Sequence, residues 1–307
     1  MSRFALRLHD VRKSYGKTVA LDGLTLDVPS GCLLGLIGPN GAGKTTAFGV
    51  VSGVVRLDAG TVDVLGQGPF DPGRHRGRLA LLPQDCELNP HSSARQLLTF
   101  YAELGGATRR AALRDADRVL ELVDLSDRAS ARVRQLSHGM KRRLAVAQAL
   151  LGTPELVLLD EPTGGLDPHL VVQMREILRA QKGERTLVVS SHILSDLEAI
   201  CDEVAFVERG KCIKAASLHD VIGAQRRVTV KLAAPIELDA LAEVLEGRDA
   251  SLDGLSLRYA LLDGEDPSDA HKALLPELID AGAKVLEVRL GETLEEAYMA
   301  ARRSAAG

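Results

Sequence analysis

Gly38-Pro39-Asn40-Gly41-Ala42-Gly43-Lys44-Thr45 fits the pattern G-x-x-x-x-G-K-[ST], in which a glycine-rich loop turns its backbone N–H groups inward around phosphate. The flanks give the pattern its meaning. Cys32-Leu33-Leu34-Gly35-Leu36-Ile37 is an apolar run of strand length, and Thr46-Ala47-Phe48-Gly49-Val50-Val51 reads as a helix. The loop therefore joins a buried strand to a helix whose N-terminus attracts anions. Lys44 is placed to reach β- and γ-phosphates, and the Thr45 hydroxyl to ligate Mg²⁺.

Outward from the loop, strands and helices alternate. Ala5–Val11 and Leu24–Val28 read as strands flanking Tyr15-Gly16-Lys17, and Val62–Gly66 and Leu79–Leu82 as further short strands. From Ser92 the apolar period becomes helical through Ala94, Leu97, Leu98, Tyr101 and Leu104, followed by helices over Arg110–Val123 and His138–Leu150. Leu156–Leu159 is an apolar strand ending in Asp160-Glu161; Asp167-Pro168 reads as an N-cap with proline at the first helical position. Strands Leu187–Ser190 and Val204–Val207 bracket a helix over Ile193–Ile200. The alternation predicts an α/β fold with a mostly parallel sheet, an N-terminal antiparallel β part and a helical insertion over about 90–150.

After about residue 224 the chain becomes strongly acidic. Strand Val228–Leu232, helix Leu238–Leu245, a hairpin at Asp253-Gly254, helix Ala270–Ile279 and strand Val285–Leu290 give the order β-α-β-β-α-β, a ferredoxin-like α+β domain. A final helix opens at Thr293-Leu294-Glu295-Glu296, a capping box. The expected domains are 1–222 and 225–307.

Composition bounds the partners. The net charge of −4 gives no general attraction to nucleic acid or anionic lipid. Aromatics make up 3% and Trp is absent, so aliphatic side chains must fill the core. Cys32, Cys86, Cys201 and Cys212 form no C-x-x-C pair and read as reduced thiols. No signal-like segment and no membrane-length apolar run is present, so the chain is expected in the cytoplasm, reaching a membrane through a partner.

Two acids stand at the end of the 156–159 strand. Asp160 is the expected second contact to Mg²⁺, since a buried carboxylate there needs a cation. Glu161 follows directly, so its side chain points elsewhere; it is the candidate for polarising an attacking water, against the plain reading of a surface acid at a strand end. The run Lys141-Arg142-Arg143 reads as a solvated helix face that also favours bound nucleotide, against the alternative of nucleic-acid binding.

Leu136-Ser137-His138-Gly139-Met140 resembles the LSGGQ-type signature of ATP-binding-cassette ATPases. It departs from that signature at His138 and Met140 and keeps Ser137 and Gly139. Gln84 matches the family's Q-loop, Gly165-Leu166-Asp167 its D-loop, His192 its switch histidine, and Tyr15 the aromatic that stacks on adenine. The resemblance covers roughly residues 4–218. It implies a P-loop NTPase cassette binding ATP and Mg²⁺ through Tyr15, Gly38 to Thr46, Ser137, Gly139 and Asp167. Thr45, Gln84 and Asp160 lie at the metal, and Glu161, His192 and Gln84 at the reacting phosphate. In the family the signature completes the site of a facing second cassette, which implies a homodimer around two ATP molecules. The tail Glu292 to Met299 resembles subunits that pair with separate ABC-2-type permeases. That implies an exporter ATPase peripheral on the inner face of the cell membrane, with no nucleic acid as partner. A soluble cassette acting on nucleic acid or the ribosome is the alternative, and the chain carries neither a second cassette, nor a long coiled coil, nor a strongly basic face; a regulatory module whose acidic tail binds a soluble partner is a third reading.

Overall fold

The first two apolar runs join into a long antiparallel pair, β1 (Phe4–Tyr15) and β2 (Thr18–Pro29), in a computed structural model that describes residues 3–221, 227–262, 265–291 and 293–306. Both strands, at 12 residues each, run well beyond the expected Ala5–Val11 and Leu24–Val28. Register shifts at Leu6, Val11 and Ser14 break the strict alternation that marks a strand. The following segments are β3 (Leu33–Ile37), α1 (Lys44–Val51) and β4 (Ala59–Val64), which pairs with the far side of β1 in a three-stranded sheet of order β2-β1-β4. β4 begins before the expected strand and stops at Val64, because Leu65 and Gly66 both take positive φ and turn the chain out of it. A short helix α2 (Pro72–His75) leads to β5 (Leu79–Leu82).

The helical block comprises α3 (Ala94–Leu104), α4 (Arg109–Leu122) and α5 (His138–Ala149). Ser93 caps α3 in a reciprocal capping box with Gln96. Then β6 (Leu156–Asp160), α6 (Pro168–Arg179), β7 (Thr186–Ser191), α7 (Leu194–Glu198), β8 (Glu203–Glu208) and β9 (Lys211–Ser217) complete a six-stranded sheet of order β5-β6-β7-β3-β8-β9. Pairings β5–β6, β6–β7, β7–β3 and β3–β8 are all parallel. β3, β6 and β7 are buried along their full length, as strands covered on both faces must be.

Alternation along these strands divides the core. Leu34, Leu36, Leu156, Leu158 and Val188 share one cluster with Ala47, Phe48, Val50 and Val51 of α1 and with Leu6, Leu8, Val11 and Leu24 of the antiparallel sheet. At about 1.5–3 kcal/mol per fully buried aliphatic side chain, this cluster is what holds the loop before α1 against both sheets. On the opposite face of β3, a Cβ on Gly35 would meet the Cys201 sulfur at 2.9 Å and Leu197 of α7 at 3.1 Å, so α7 and the turn after it leave little room there for a side chain.

The chain divides into units Met1–Ala216 and Ser217–Gly307. The division precedes the expected boundary, and residues 222–226 lie outside the described ones. The second unit contains α8 (Leu218–Val221), β10 (Arg227–Leu232), β11 (Ala250–Asp253), β12 (Ser256–Ala260), α9 (Pro267–Asp280), β13 (Val285–Leu290) and α10 (Leu294–Ala306). Its antiparallel sheet has the order β11-β12-β10-β13. The helix expected over Leu238–Leu245 is a 3₁₀ turn at Leu238–Leu241 followed by further turns, closed mainly by bonds to the third residue back. Leu241 and Leu245 still reach the core of this unit. All four cysteines are free. Among the described residues no helix is long and apolar enough to cross a membrane.

Candidate functional site

Strands β6, β7 and β3 are neighbours, so their C-terminal ends emerge side by side, where ligands of open parallel sheets bind. Register pairs Leu36 with Ser190, Ile37 with Ser191, and Asp160 with Ser190. The loop after β3, the acids ending β6 and the segment Ser190–His192 are therefore brought to one edge by backbone pairing alone.

The loop itself is sterically specified. Gly43, the residue before α1, has φ of 105°, and a Cβ there would lie 2.5 Å from the Ala20 carbonyl. Gly38 needs space: a Cβ would lie 2.2 Å from the Val207 carbonyl. Lys44 is buried, its ammonium donating to the carbonyls of Gly38 at 2.7 Å and Pro39 at 3.2 Å. Burial lowers its pKa, with Glu161 and Asp160 acting in the opposite sense.

Asp160 is 1% exposed. One carboxylate oxygen accepts from the Thr45 hydroxyl at 2.7 Å and the other from the Ser190 hydroxyl at 2.5 Å. A hydroxyl and a carboxylate at the foot of a phosphate loop are hard oxygen donors. They suit an ion such as Mg²⁺, which takes one or two protein oxygens beside phosphates and water. No cluster of three His, Cys, Asp or Glu exists among the described residues, and such an ion would not need one.

Glu161 is buried and adopts φ of 51°, a left-handed conformation that costs on the order of 1–3 kcal/mol for a residue with a side chain. Its N–H donates to the backbone carbonyl and hydroxyl of Ser190. Its carboxylate lies 2.8 Å from Nδ1 of His192. With a carboxylate as acceptor, Nδ1 carries the proton, and Nε2 is the nitrogen that Glu161 does not engage. Thr163 donates to Asp196 at 2.7 Å and Arg175 pairs with the other oxygen of Asp196, pinning the turn after Glu161.

These groups face a cleft of about 360 Å³. Tyr15, Thr18, Val19, Ala20, Asn40 to Thr46, Gln84, Asp160 and Glu161 line it. Tyr15 is half exposed at its edge, with the Lys13 ammonium 5.4 Å from its ring centre. Gly38 and Pro39 contribute carbonyls to Lys44, and His192 joins through Glu161. Ser137, Gly139 and Asp167 are not among the residues lining the cleft.

Ser137 is the N-cap of α5, its hydroxyl accepting from the Met140 N–H at 3.2 Å. Gly139 is pressed against α6: a Cβ there would lie 2.3 Å from Leu170. A Cβ on Gly165 would lie 3.3 Å from Nε2 of His138, so the segment at 136–140 and the loop at 165–167 pack on each other. Asp167 does occupy the N-cap of α6 with Pro168 behind it, but its side chain makes no capping bond.

The reading of Lys141-Arg142-Arg143 as a solvated face is overturned. Arg143 is 6% exposed and donates to the Val123 and Asp124 carbonyls. Arg142 reaches the backbone beneath Asp160 and Glu161. Sequence reasoning also missed Ser190, Thr163, Arg175 and Asp196. The one signal for them was their position beside recognised elements, since their partners lie 20 or more residues away.

A family description, "ABC transporter", matches residues 21–164. The chain is 36% identical over 224 residues to the Nod factor export ATP-binding protein I of Burkholderia orbicola (strain AU 1054), covering 72% of this chain and 74% of that protein. It is 37% identical over 228 residues to the protein of the same name from Rhizobium sp. (strain N33), covering 72% and 74%. Among solved structures, cbiO1 from Clostridium perfringens, part of the ABC transporter complex cbiONQ, superposes with a TM-score of 0.65 at 25% identity, covering 73% of this chain and 92% of that one. An ATP-binding cassette solved as a dimer in a post-hydrolysis state with ADP and Pi shares the fold, with a TM-score of 0.64 at 22% identity, covering 69% and 98%. On the phosphate loop, the sheet order and these likenesses together, the chain belongs to the ATP-binding subunits of ABC transporters and is an ATPase.

Proposed function

We propose that ATP hydrolysis by this chain drives export through a separate membrane-spanning permease of ABC-2 type, by closure of a homodimer around two ATP molecules. The observation that carries the catalytic part is the buried Glu161 carboxylate held by His192 beside the Thr45–Asp160 pair. Support for export comes from relatives named for Nod factor export and from the C-terminal tail.

In this reading Tyr15 stacks on adenine, and the backbone from Gly38 to Thr46 surrounds the phosphates. Lys44 swings from the Gly38 and Pro39 carbonyls to the β- and γ-phosphates. Thr45, Asp160 and Gln84 would hold Mg²⁺, which when bound would supply charge neutralisation at the phosphates. Glu161 accepts a proton from the attacking water as its oxygen bonds to the γ-phosphorus, and His192 presents Nε2 to a γ-phosphate oxygen. The bond to the β–γ bridging oxygen breaks, and ADP and phosphate leave. Ser137, Gly139 and Asp167 act across the dimer on the partner's nucleotide, which accounts for their distance from the cleft lining of their own chain. ATP binding stabilises the closed dimer and product release the open one, and the permease follows that difference. The protein is then peripheral on the cytoplasmic face of the membrane, attached through the permease, with no nucleic-acid partner.

Glu161→Gln tests the site. ATP should still bind, turnover should fall by at least about 100-fold, and a nucleotide-trapped dimer should accumulate on gel filtration. Near-normal turnover would remove Glu161 from the chemistry. Co-purification from detergent-solubilised membranes with a multi-span protein tests the transport assignment, and recovery in the soluble fraction alone would contradict it.

A further inference from the structure

Arg142 lies on α5, one turn beyond Ser137, and ends far from any surface role. Its Nη2 donates to the carbonyls of Asp160 at 2.9 Å and Glu161 at 2.5 Å, its Nε to that of Pro162 at 3.1 Å, and its Nη1 to that of Gln84 at 3.1 Å. Three consecutive carbonyls converge on one guanidinium because the left-handed turn at Glu161 swings them to the same side. The fourth comes from the Gln84 loop, which lies at the end of β5. Five N–H groups in a rigid plane can serve such a set; an ammonium on a flexible stem cannot.

We propose that Arg142 is a positioning residue for ATP hydrolysis, which holds the Glu161 turn in its left-handed conformation and ties it to both the Gln84 loop and the helix opened by Ser137. The proposal rests on Glu161 being the group that polarises water. Its consequence is mechanical. A shift of α5, or of the Gln84 loop, is carried to the Glu161 backbone by a single side chain, without passing through the bound nucleotide. The Glu161 carboxylate would then face its water only when both segments are in place. The guanidinium touches no reacting atom, so its loss should alter the rate of the chemical step and leave nucleotide affinity intact.

The test compares Arg142→Lys and Arg142→Gln in the full chain, with ATP affinity and single-turnover hydrolysis measured separately. Arg142→Lys keeps the charge and the stem, and answers the question if the glutamine variant folds poorly. Both should bind ATP within about threefold of wild type and hydrolyse it about 10- to 100-fold more slowly. Combined with Glu161→Gln, Arg142→Lys should add no further loss, because it acts through that residue. Turnover of Arg142→Lys within twofold of wild type would overturn the proposal. So would a loss of ATP affinity that matches the loss of rate, or a double variant whose defects multiply. Normal hydrolysis by Glu161→Gln alone would instead sink the underlying site reading, independently of what the Arg142 variants do.

Discussion

In the unit Met1–Ala216, the buried ionisable groups Lys44, Asp160 and Glu161 have hydroxyls, backbone groups and a histidine as their nearest partners. In the unit Ser217–Gly307 the best-buried charges are matched to one another. Arg248 holds Glu265 through two bonds of 2.6 and 2.7 Å, and Glu296 is shared by Arg258 and Arg289 at 3.2 and 3.1 Å. A buried charge without its counter-ion costs several kcal/mol unless something else supplies the opposite charge. The first unit bears part of that cost at the edge where a highly charged nucleotide fits, although it also closes a pair, Arg175 with the buried Asp196; in the second unit the charges named here are matched. Among the described residues, all the non-glycine residues with positive φ, Asp10, Leu65, Asp124, Glu161 and Arg209, lie in the first unit, and Glu161 is the one at the cleft.

Three perturbations sharpen this contrast. The largest effect should come from Ser137→Arg. A bulky cation at the N-cap of α5 is expected to abolish hydrolysis, a loss on the order of 1000-fold, while the isolated monomer still binds ATP with wild-type affinity by equilibrium titration. Loss of monomer binding would mean that Ser137 serves its own chain's cleft, contrary to the head-to-tail arrangement.

An intermediate effect is expected at Gly139. Its φ is not positive, so its requirement is room: Leu170 lies where a Cβ would go. Gly139→Val should cost about 1–3 kcal/mol by denaturant unfolding through overpacking of α5 against α6. An unchanged unfolding midpoint would show that Leu170 yields freely and that the glycine is not there for packing.

The smallest effect should arise in the C-terminal unit. Glu265→Gln leaves the 6% exposed Arg248 guanidinium without its carboxylate. The expected cost is about 0.5–1 kcal/mol, because the amide oxygen of Gln can still accept from Arg248 and the Glu265 side chain is 21% exposed, with ATP turnover within twofold of wild type. The hydrogen bond from Arg248 holds the Glu265 carboxyl below its usual value of 4.5. For a carboxylate with a depressed folded pKa, the stabilisation is complete above the unfolded value and disappears as pH falls through the folded one. The gap between wild type and Glu265→Gln, followed by hydrogen exchange of the β12 amides, should therefore be constant near neutrality and close below about pH 4.5. A gap that persists in acid would mean that the ion pair is not its source.

Much of this protein was legible residue by residue. The phosphate loop, the strands β3, β6 and β7, and the helices from α3 to α6 announce themselves because their signals are local: an apolar run, a 3.6-residue period, a cap, a glycine at a turn. Asp160 and Glu161 stand out as acids ending an apolar strand, whereas His192 is singled out by the family resemblance and not by its place at a strand end. The full lengths of β1 and β2 were hidden by bulges that break alternation, and the short 3₁₀ turn at Leu238–Leu241 was hidden by an apolar spacing that a helix would share. What folding alone settled is which distant groups meet. The parallel register that sets Ser190 beside Asp160, the contact between Glu161 and His192, and the conversion of Arg142 from a surface charge into a four-carbonyl clamp each join segments 18 to 58 residues apart. Hydrogen bonds depend on distance in space, and no period along the chain encodes that distance.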